Sequence, residues 1–318
     1  MEKLQILMSV YNGKKYLREQ MDSIMAQDCE KDGMVVFSLM VRDDGSSDGT
    51  QEILEEYARR YPDKVKWYQG NNLGVIQSFF DLIVKADNAD YYALADQDDY
   101  WLPSKVGTGI KKIRHMYKEQ KKLMDKPVLY CCRPTLVDKN LGKLEIKVSH
   151  PEMRPGFGNA LIENIVTGCT TVFNNKLRVM VADRLPAYTT MHDRWLYLIA
   201  SCFGRIYYDE DSYIYYRQHG GNAVGKNTNK LAEVKYRLNK FRKDAYSSSR
   251  QAAEFWHVFG KGYKGMTMPE GKKKLLIMFI KGKKNRRIRR TLINTGKIYR
   301  QRKFDNKIFK VLLRLGIY

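Results

Sequence analysis

Short apolar runs alternate with helical periodicity along the first hundred positions. Leu4-Gln-Ile-Leu-Met-Ser-Val-Tyr11 ends at Asn12-Gly13, a turn signal, and gives way to a helical pattern through Tyr16, Leu17, Met21 and Ile24. Met34-Val-Val-Phe-Ser-Leu-Met-Val41 runs into Arg42-Asp-Asp-Gly-Ser-Ser-Asp-Gly-Thr50, followed by Ile53, Leu54, Tyr57 and Ala58 at helical spacing. Lys64-Val-Lys-Trp-Tyr-Gln69 alternates as a third strand, and Asn71-Asn-Leu-Gly74 leads into a helix bearing Phe79, Phe80, Leu82 and Ile83. Tyr91-Tyr-Ala-Leu-Ala95 is the fourth strand.

Strands that alternate with helices predict an α/β fold with a mostly parallel, doubly wound sheet. Ligands of such sheets bind beyond the carboxyl ends of the strands, where Asn12, Asp43, Asp44, Asn72 and Asp96 all fall. The middle, from about 127 to 216, has shorter runs such as Val128-Leu-Tyr-Cys131 and Val166-Thr-Gly-Cys-Thr-Thr-Val-Phe173, which we read as further strands of the same sheet. From Lys226 the pattern is helical and dense in Lys and Arg. The expected division is a catalytic domain over 1–225 and a basic helical region over 226–318.

Charge sharpens that division. Of the net +22, all comes from residues 226–318, with 27 Lys and Arg against 5 Asp and Glu, whereas residues 1–225 carry 30 of each. A neutral body with a basic tail suggests one chemical task and one of attachment to something anionic. The five cysteines, Cys29, Cys131, Cys132, Cys169 and Cys202, lack CxxC spacing, which argues against a disulfide framework and a zinc site and fits a reducing cytoplasm. No apolar stretch approaches the roughly 18 residues of a membrane span, and Met1-Glu-Lys-Leu-Gln-Ile-Leu-Met-Ser9 turns polar too soon for a signal peptide, so a chain that neither spans a membrane nor is exported by that route is expected.

The candidate chemistry begins at Ala95-Asp-Gln-Asp-Asp-Tyr-Trp101, where Asp96, Asp98 and Asp99 crowd behind a buried strand. Like charges this close cost free energy unless a cation neutralises them. The D-x-D pair of Asp96 and Asp98 offers hard oxygen ligands that suit Mg²⁺ or Mn²⁺. Asp43 and Asp44, ending a strand, are placed to accept hydrogen bonds from a nucleotide's base or ribose, while Asp48 or Thr50 reads as a helix N-cap.

Val10-Tyr-Asn-Gly13, Asp43-Asp-Gly-Ser-Ser-Asp-Gly-Thr50, Asn72-Leu-Gly74 and Ala95-Asp-Gln-Asp-Asp-Tyr-Trp101, in that order, resemble the nucleotide-binding half of family 2 glycosyltransferases, which have the GT-A fold. The resemblance covers roughly residues 1–225. It implies an inverting enzyme that uses a nucleotide-diphosphate sugar and Mg²⁺ or Mn²⁺, with a nucleotide-sugar half over about 1–105 and an acceptor half over about 106–225. By it Val10, Tyr11, Asn12, Asp43, Asp44, Asn72, Asp96 and Gln97 would surround the nucleotide sugar, with Asp96 at the ribose or metal, and Asp98 would ligate the metal. Together with Tyr216-Arg-Gln-His-Gly-Gly-Asn222, the wording is similar to bacterial rhamnosyltransferases that build cell-wall or O-antigen polysaccharides from dTDP-L-rhamnose. Relatives moving other UDP-hexoses or UDP-N-acetylhexosamines share these motifs, and a non-catalytic nucleotide-sugar or polyanion-binding module is the alternative of another class.

The resemblance also implies a general base in Met191-His-Asp-Arg-Trp195, matched by Asp193, which alternatively caps the helix that follows. His219 would complete the metal shell or contact the diphosphate, and Arg217 would meet the departing diphosphate. Trp101, Gly168, Cys169, Thr170, His192 and Trp195 fall on the acceptor side, with Cys169 also readable as a small buried residue. In the tail, Lys272-Lys-Lys-Leu-Leu-Ile-Met-Phe-Ile-Lys-Gly-Lys-Lys-Asn-Arg-Arg-Ile-Arg-Arg290 and the apolar repeat from Phe304 to Ile317 read as basic amphipathic helices. They suit the inner face of the cell membrane and a polyprenyl-phosphate-linked glycan acceptor; no nucleic-acid partner is expected.

Overall fold

The computed structural model describes residues 1–31, 33, 35–144, 152–218 and 246–318. A seven-stranded sheet runs in the order β3-β2-β1-β4-β8-β6-β9. Its first half is parallel: β1 (Glu2–Val10) lies between β2 (Val35–Asp43) and β4 (Tyr91–Asp96), and β3 (Val65–Gln69) flanks β2. These strands are nearly continuous apolar runs because helices cover both faces. α1 (Leu17–Met25) and α2 (Thr50–Arg60) contribute to one core cluster with Leu4, Ile6, Met8 and Val10, and α3 (Gly74–Lys85) contributes to the other with Leu7 and Leu94.

The register sets the site. Val10 stands opposite Asp43, Ser9 opposite Asp96, and Asp43 opposite Gln69, so the loops after four strands leave the sheet along one edge.

The middle of the chain departs in part from expectation. β6 (Val128–Cys132), β8 (Thr171–Asn174) and β9 (Arg205–Asp209) do extend the main sheet, with β8 antiparallel to both β4 and β6. The strand read over 166–173 is shorter, because Gly168–Thr170 forms a 3-10 turn first. β5 (Tyr100–Trp101), β7 (Thr135–Val137) and β10 (Ile214–Arg217) form a separate three-stranded sheet. β10 pairs with the two residues after the acidic cluster, Tyr215 with Tyr100 and Ile214 with Trp101, and so carries Arg217 beneath that cluster.

α4 (Lys105–Glu119) follows the cluster, the one-turn α5 (Phe157–Ala160) and α6 (Asn175–Asp183) frame the second half of the sheet, and α7 (His192–Phe203) is buried along its whole length. The described residues of the basic region, 246–318, hold α8 (246–259), α9 (Glu270–Gly282), α10 (Arg286–Asn294) and α11 (Lys303–Leu315). Phe255 and Phe259 of α8 meet Trp195 at ring-centroid distances of 5.5 and 5.9 Å, and Leu276, Phe279, Leu292 and Phe309 belong to the same core as α3, α6 and α7. No helix among the described residues is long and apolar enough to cross a membrane.

One glycine fixes how this region seats. A Cβ on Gly158 of α5 would collide with the backbone carbonyl of Lys297, just after α10. Gly158→Ala is therefore expected to destabilise the chain by about 1–3 kcal/mol through overpacking against an atom that cannot rotate away. Thermal unfolding checks this; an unchanged midpoint would mean that the α10–α11 connection is not held against α5.

Candidate active site

Beyond the strand ends lies a cleft of about 480 Å³, lined by Ser9, Tyr11, Asp44, Asn72, Phe79, Asp96, Gln97, Asp98, Tyr216 and Arg217 among others. Its floor is tied together by short-range chemistry. Asn12 takes a left-handed conformation, φ +48°, a region that Asn tolerates better than most residues, and bridges two loops: its backbone N–H donates to Ser46 Oγ at 2.8 Å, and its Oδ1 accepts from Ser47 N at 2.9 Å. Gly13 N donates to Thr50 Oγ1 and Lys14 N to Asp48 Oδ2, which joins the loop after β1 to the start of α2. Asp48 also accepts from Thr50 N, but the residue in the N-cap position is Gly49, at φ +89°. Gln97 clamps Tyr11, accepting from its N–H and donating to its carbonyl at 2.6 and 3.0 Å. The Tyr11 side chain stays exposed at the mouth of the cleft.

Asp43 and Asp44 are buried and already engaged. Asp43 accepts from Ser46 and from Gln51 Nε2, and Asp44 pairs with Arg42 while accepting from Leu73 N and Gly74 N at 2.9 Å. Arg42 is itself buried, and also donates to Asp81 and to the Asn71 carbonyl. Gly70 lets that guanidinium pass, since a Cβ there would strike it. The pair thus shapes the cleft wall, which Asp44 also lines.

The acidic cluster is tighter than its spacing alone reveals. Asp96, Asp99 and Cys169 bring potential ligand atoms within 4.8 Å of one another, the one such group among the described residues, while Asp98 faces the cleft. Burial, then the neighbouring Asp98, pushes the Asp96 carboxyl up to about 7, and burial with Asp96 and Asp98 raises Asp99 well above the carboxylate range. Asp99 Oδ2 is buried without a hydrogen-bond partner. Asp96 and Asp99, two converging carboxylates with one orphaned buried oxygen, are donors that fit Mg²⁺ or Mn²⁺, whereas Asp98 lines the cleft without joining that group. Cys169 fits less well, since burial holds its thiol protonated. His219 lies outside the described residues.

Behind the cluster sits Lys105. Its Nζ is buried without a hydrogen-bond partner, 3.5 Å from the centroid of the Trp101 ring, and burial lowers its pKa to about 8 against the pull of nearby acidic groups. Neither Lys105 nor Asp99 had a role in the sequence reading. Asp99 stood in the acidic run, but nothing in one sequence distinguishes Lys105 from an exposed lysine opening a helix.

Asp193 does not cap α7, contrary to one reading above: Met191 occupies the N-cap position, and Asp193 sits in the first turn. Its carboxylate accepts from Asn164 Nδ2 at 2.7 Å and from Gly168 N at 3.0 Å. Burial pushes its pKa up to about 6 despite both bonds. Gly168 must be glycine for this approach, since a Cβ would lie 2.7 Å from His192 Nε2. The next residue is Cys169, so one 3-10 turn links Asp193 to Asp96 and Asp99.

Several residues expected on the acceptor side lie beneath the surface. Trp101 and Trp195 are core residues, 1% and 0% exposed, and Cys169 and Thr170 are buried, because the turn and α7 pack inside the protein. His192 is also buried; its ring stacks on Phe79 at 4.1 Å, behind the cleft wall, and burial lowers its pKa to about 3. Arg217 lines the cleft, but its guanidinium is spent on the carbonyls of Asp98 and Lys139 and on Glu19, and it stacks on Tyr16. It holds the acidic loop in place instead of reaching outward.

Known proteins resemble this chain in sequence and in fold. The family model described as glycosyl transferase family 2 matches residues 5–118. The dTDP-rhamnosyl transferase RfbG of Shigella flexneri is 29% identical over 273 residues, covering 81% of this chain and 90% of that one, and an uncharacterized glycosyltransferase of Rickettsia typhi is 26% identical over 75% of this chain and 71% of its own. Among solved structures, S. aureus TarS 1–349 in complex with UDP-GlcNAc superposes with a TM-score of 0.56 at 16% identity, over 99% of this chain and 93% of that one; the chain spans 43% of a longer TarS structure. A mannosyltransferase from Pyrobaculum calidifontis, in complex with GDP-Man and Mn²⁺, gives 0.51 at 14% identity, over 99% and 86%. The fold is GT-A, and residues 5–118 match the glycosyl transferase family 2 model.

Proposed function

We propose that this glycosyltransferase is inverting and metal-dependent, and that it moves L-rhamnose from dTDP-β-L-rhamnose to a polyprenyl-phosphate-linked glycan at the inner face of the cell membrane. The observation that carries the mechanism is the 3-10 turn Gly168–Thr170, which sets a buried carboxylate of raised pKa beside an acidic cleft. The choice of sugar rests on the likeness to the Shigella rhamnosyl transferase along 81% of the chain.

Residues 1–105 hold the donor: the exposed Tyr11 ring stacks on the base, Asn72 and the loop ordered by Asp43 and Asp44 enclose the nucleoside, and Val10, Asn12 and Gln97 fix that frame. Asp96 and Asp98, with His219, hold the metal, which when bound offsets the charge of the diphosphate. Arg217 positions Asp98. Residues 106–225 present the acceptor to Asp193, held by Asn164 and Gly168. Asp193 takes the proton of the acceptor hydroxyl as its oxygen bonds to the anomeric carbon. The bond from that carbon to the diphosphate breaks on the opposite face, its electron pair leaving with the nucleoside diphosphate. Inversion of a β-linked donor gives an α-linked product. Residues 226–318 provide the surface that faces anionic lipid.

Calorimetric titration tests the donor. dTDP-rhamnose is expected to bind at least about tenfold tighter than UDP-GlcNAc, a difference of about 1.4 kcal/mol, and only with Mg²⁺ or Mn²⁺ present. Tighter binding of a UDP-sugar would remove rhamnose and leave the fold's chemistry intact.

A further inference from the structure

α11 is divided lengthwise into three sectors. At about 100° per residue, Phe309, Leu312 and Leu313 fall on one side, and these are buried in the core. Phe304, Ile308, Val311 and Leu315 fall on a second stripe roughly 60° wide. Lys303, Lys307, Lys310 and Arg314 share a third, next to the apolar stripe and away from the core.

Within the second stripe Ile308 is partly buried against the core, while the other three side chains stand out from it. Phe304 is 59% exposed, Val311 50% and Leu315 62%, although the buried side of the same helix already packs against the body of the protein. Ile317, just beyond the helix, is 39% exposed as well. Large apolar side chains in a row beside four cations are costly in water and suit an interface in which one edge is apolar and the other anionic.

We infer that the outer face of α11 is a membrane-docking surface: Phe304, Val311 and Leu315 enter the acyl boundary of an anionic bilayer while Lys303, Lys307, Lys310 and Arg314 meet its headgroups. This rests on the reading of the basic region as lipid-facing, and names the element that does the work. Charge complementarity selects the partner. Four cations line one edge of the stripe, and the chain from 226 onward carries 27 basic residues to 5 acidic ones. A second copy of this chain would bring like charges together.

The test uses the full chain and flotation with vesicles of phosphatidylcholine, alone or mixed with phosphatidylglycerol. Wild type is expected to float with the mixed vesicles only. Replacing Lys303, Lys307, Lys310 and Arg314 with Gln is expected to weaken partitioning by about 100-fold or more, since each such cation contributes roughly fivefold near an anionic surface. Phe304→Ser combined with Val311→Ser and Leu315→Ser is expected to cost at least about tenfold and to leave only binding that salt abolishes. Lys310 is half-buried and the other replaced residues are exposed, and matching thermal midpoints with wild type confirm that both variants fold. Vesicle binding unaltered by either variant overturns the role of α11 while leaving a lipid-facing tail. No vesicle binding by wild type overturns both. A wild-type dimer in sedimentation velocity that the apolar variant dissociates, with vesicle binding unchanged, assigns the stripe to a second copy instead. Turnover of a soluble donor is expected to be equal in all three proteins, so a failure of the transfer chemistry is read separately.

Discussion

Asp193→Asn is expected to lower the turnover number by about 10²–10⁴, the range spanned by loss of a positioned general base, while leaving donor affinity within about twofold. Asn keeps the size of the side chain and an oxygen that can accept from Gly168 N, but it cannot take a proton. The wild-type pH profile is tied to the same group. Burial pushes its pKa up to about 6, so the logarithm of the rate is expected to fall with unit slope as pH drops below about 6, and the variant's residual rate is expected to lose that limb. The stability effect has the opposite sign. A carboxyl whose folded pKa is raised from 3.8 to about 6 favours the fold most when protonated, and that contribution is lost as pH rises from about 4 through 6. At pH 7 the ionised, buried carboxylate costs about 3 kcal/mol relative to its protonated form. Asp193→Asn is therefore expected to unfold at the same temperature as wild type or higher. A variant that loses activity and also melts lower would show a structural carboxylate, not a base held under strain for function.

Removal of the divalent metal, or Asp98→Asn, is expected to reduce transfer by at least about 10³, because the charge of the departing diphosphate would lose most of its compensation. The protein carries Asp96 and Asp99 with raised pKa values, Asp99 Oδ2 without a hydrogen bond, and Lys105 as a buried cation nearby. A cation bound to the ionised carboxylates removes their mutual repulsion. Added Mn²⁺ at 100 times its dissociation constant should therefore stabilise the fold by about 2.7 kcal/mol. The gain should grow with pH up to about 7, since ligation needs the deprotonated form. The thermal midpoint measured with Mn²⁺ and with chelator, at pH values of about 5.5 and about 7.5 on either side of the raised Asp96 pKa of about 7, checks this. Equal midpoints with and without metal at the higher pH would contradict a metal site at the cluster.

The first half of the fold was legible because its strands are buried on both faces and each ends in a turn residue with its own chemistry. Val10-Tyr-Asn-Gly13 and Asp43-Asp-Gly-Ser-Ser-Asp-Gly-Thr50 name both the strand ends and the loops that interlock at Asn12 and Ser46. The second half was less legible. β5, β7 and β10 are two to four residues long, too short for alternation to assign them a sheet, and their pairing is set by Arg217 and Asp99 at a separation of 118 residues. Burial was the other blind spot. Trp195 and Trp101 resemble recognition aromatics in a sequence, but only tertiary contacts with Phe255, Phe259 and Lys105 reveal that they are core. Asp193 was found through its motif, whereas its orienting partner Asn164 lies 29 residues away and carries no local signal.

The most direct measurement is release of nucleoside diphosphate from dTDP-rhamnose, UDP-glucose, UDP-galactose and UDP-GlcNAc, each with Mn²⁺ and a lipid-linked glycan extract, by wild type and by Asp193→Asn. The account predicts that dTDP-rhamnose alone is turned over, that turnover stops with chelator, and that the variant is at least about 100-fold slower while still binding the donor. Turnover that persists in chelator, or that survives in Asp193→Asn at the wild-type rate, would contradict it.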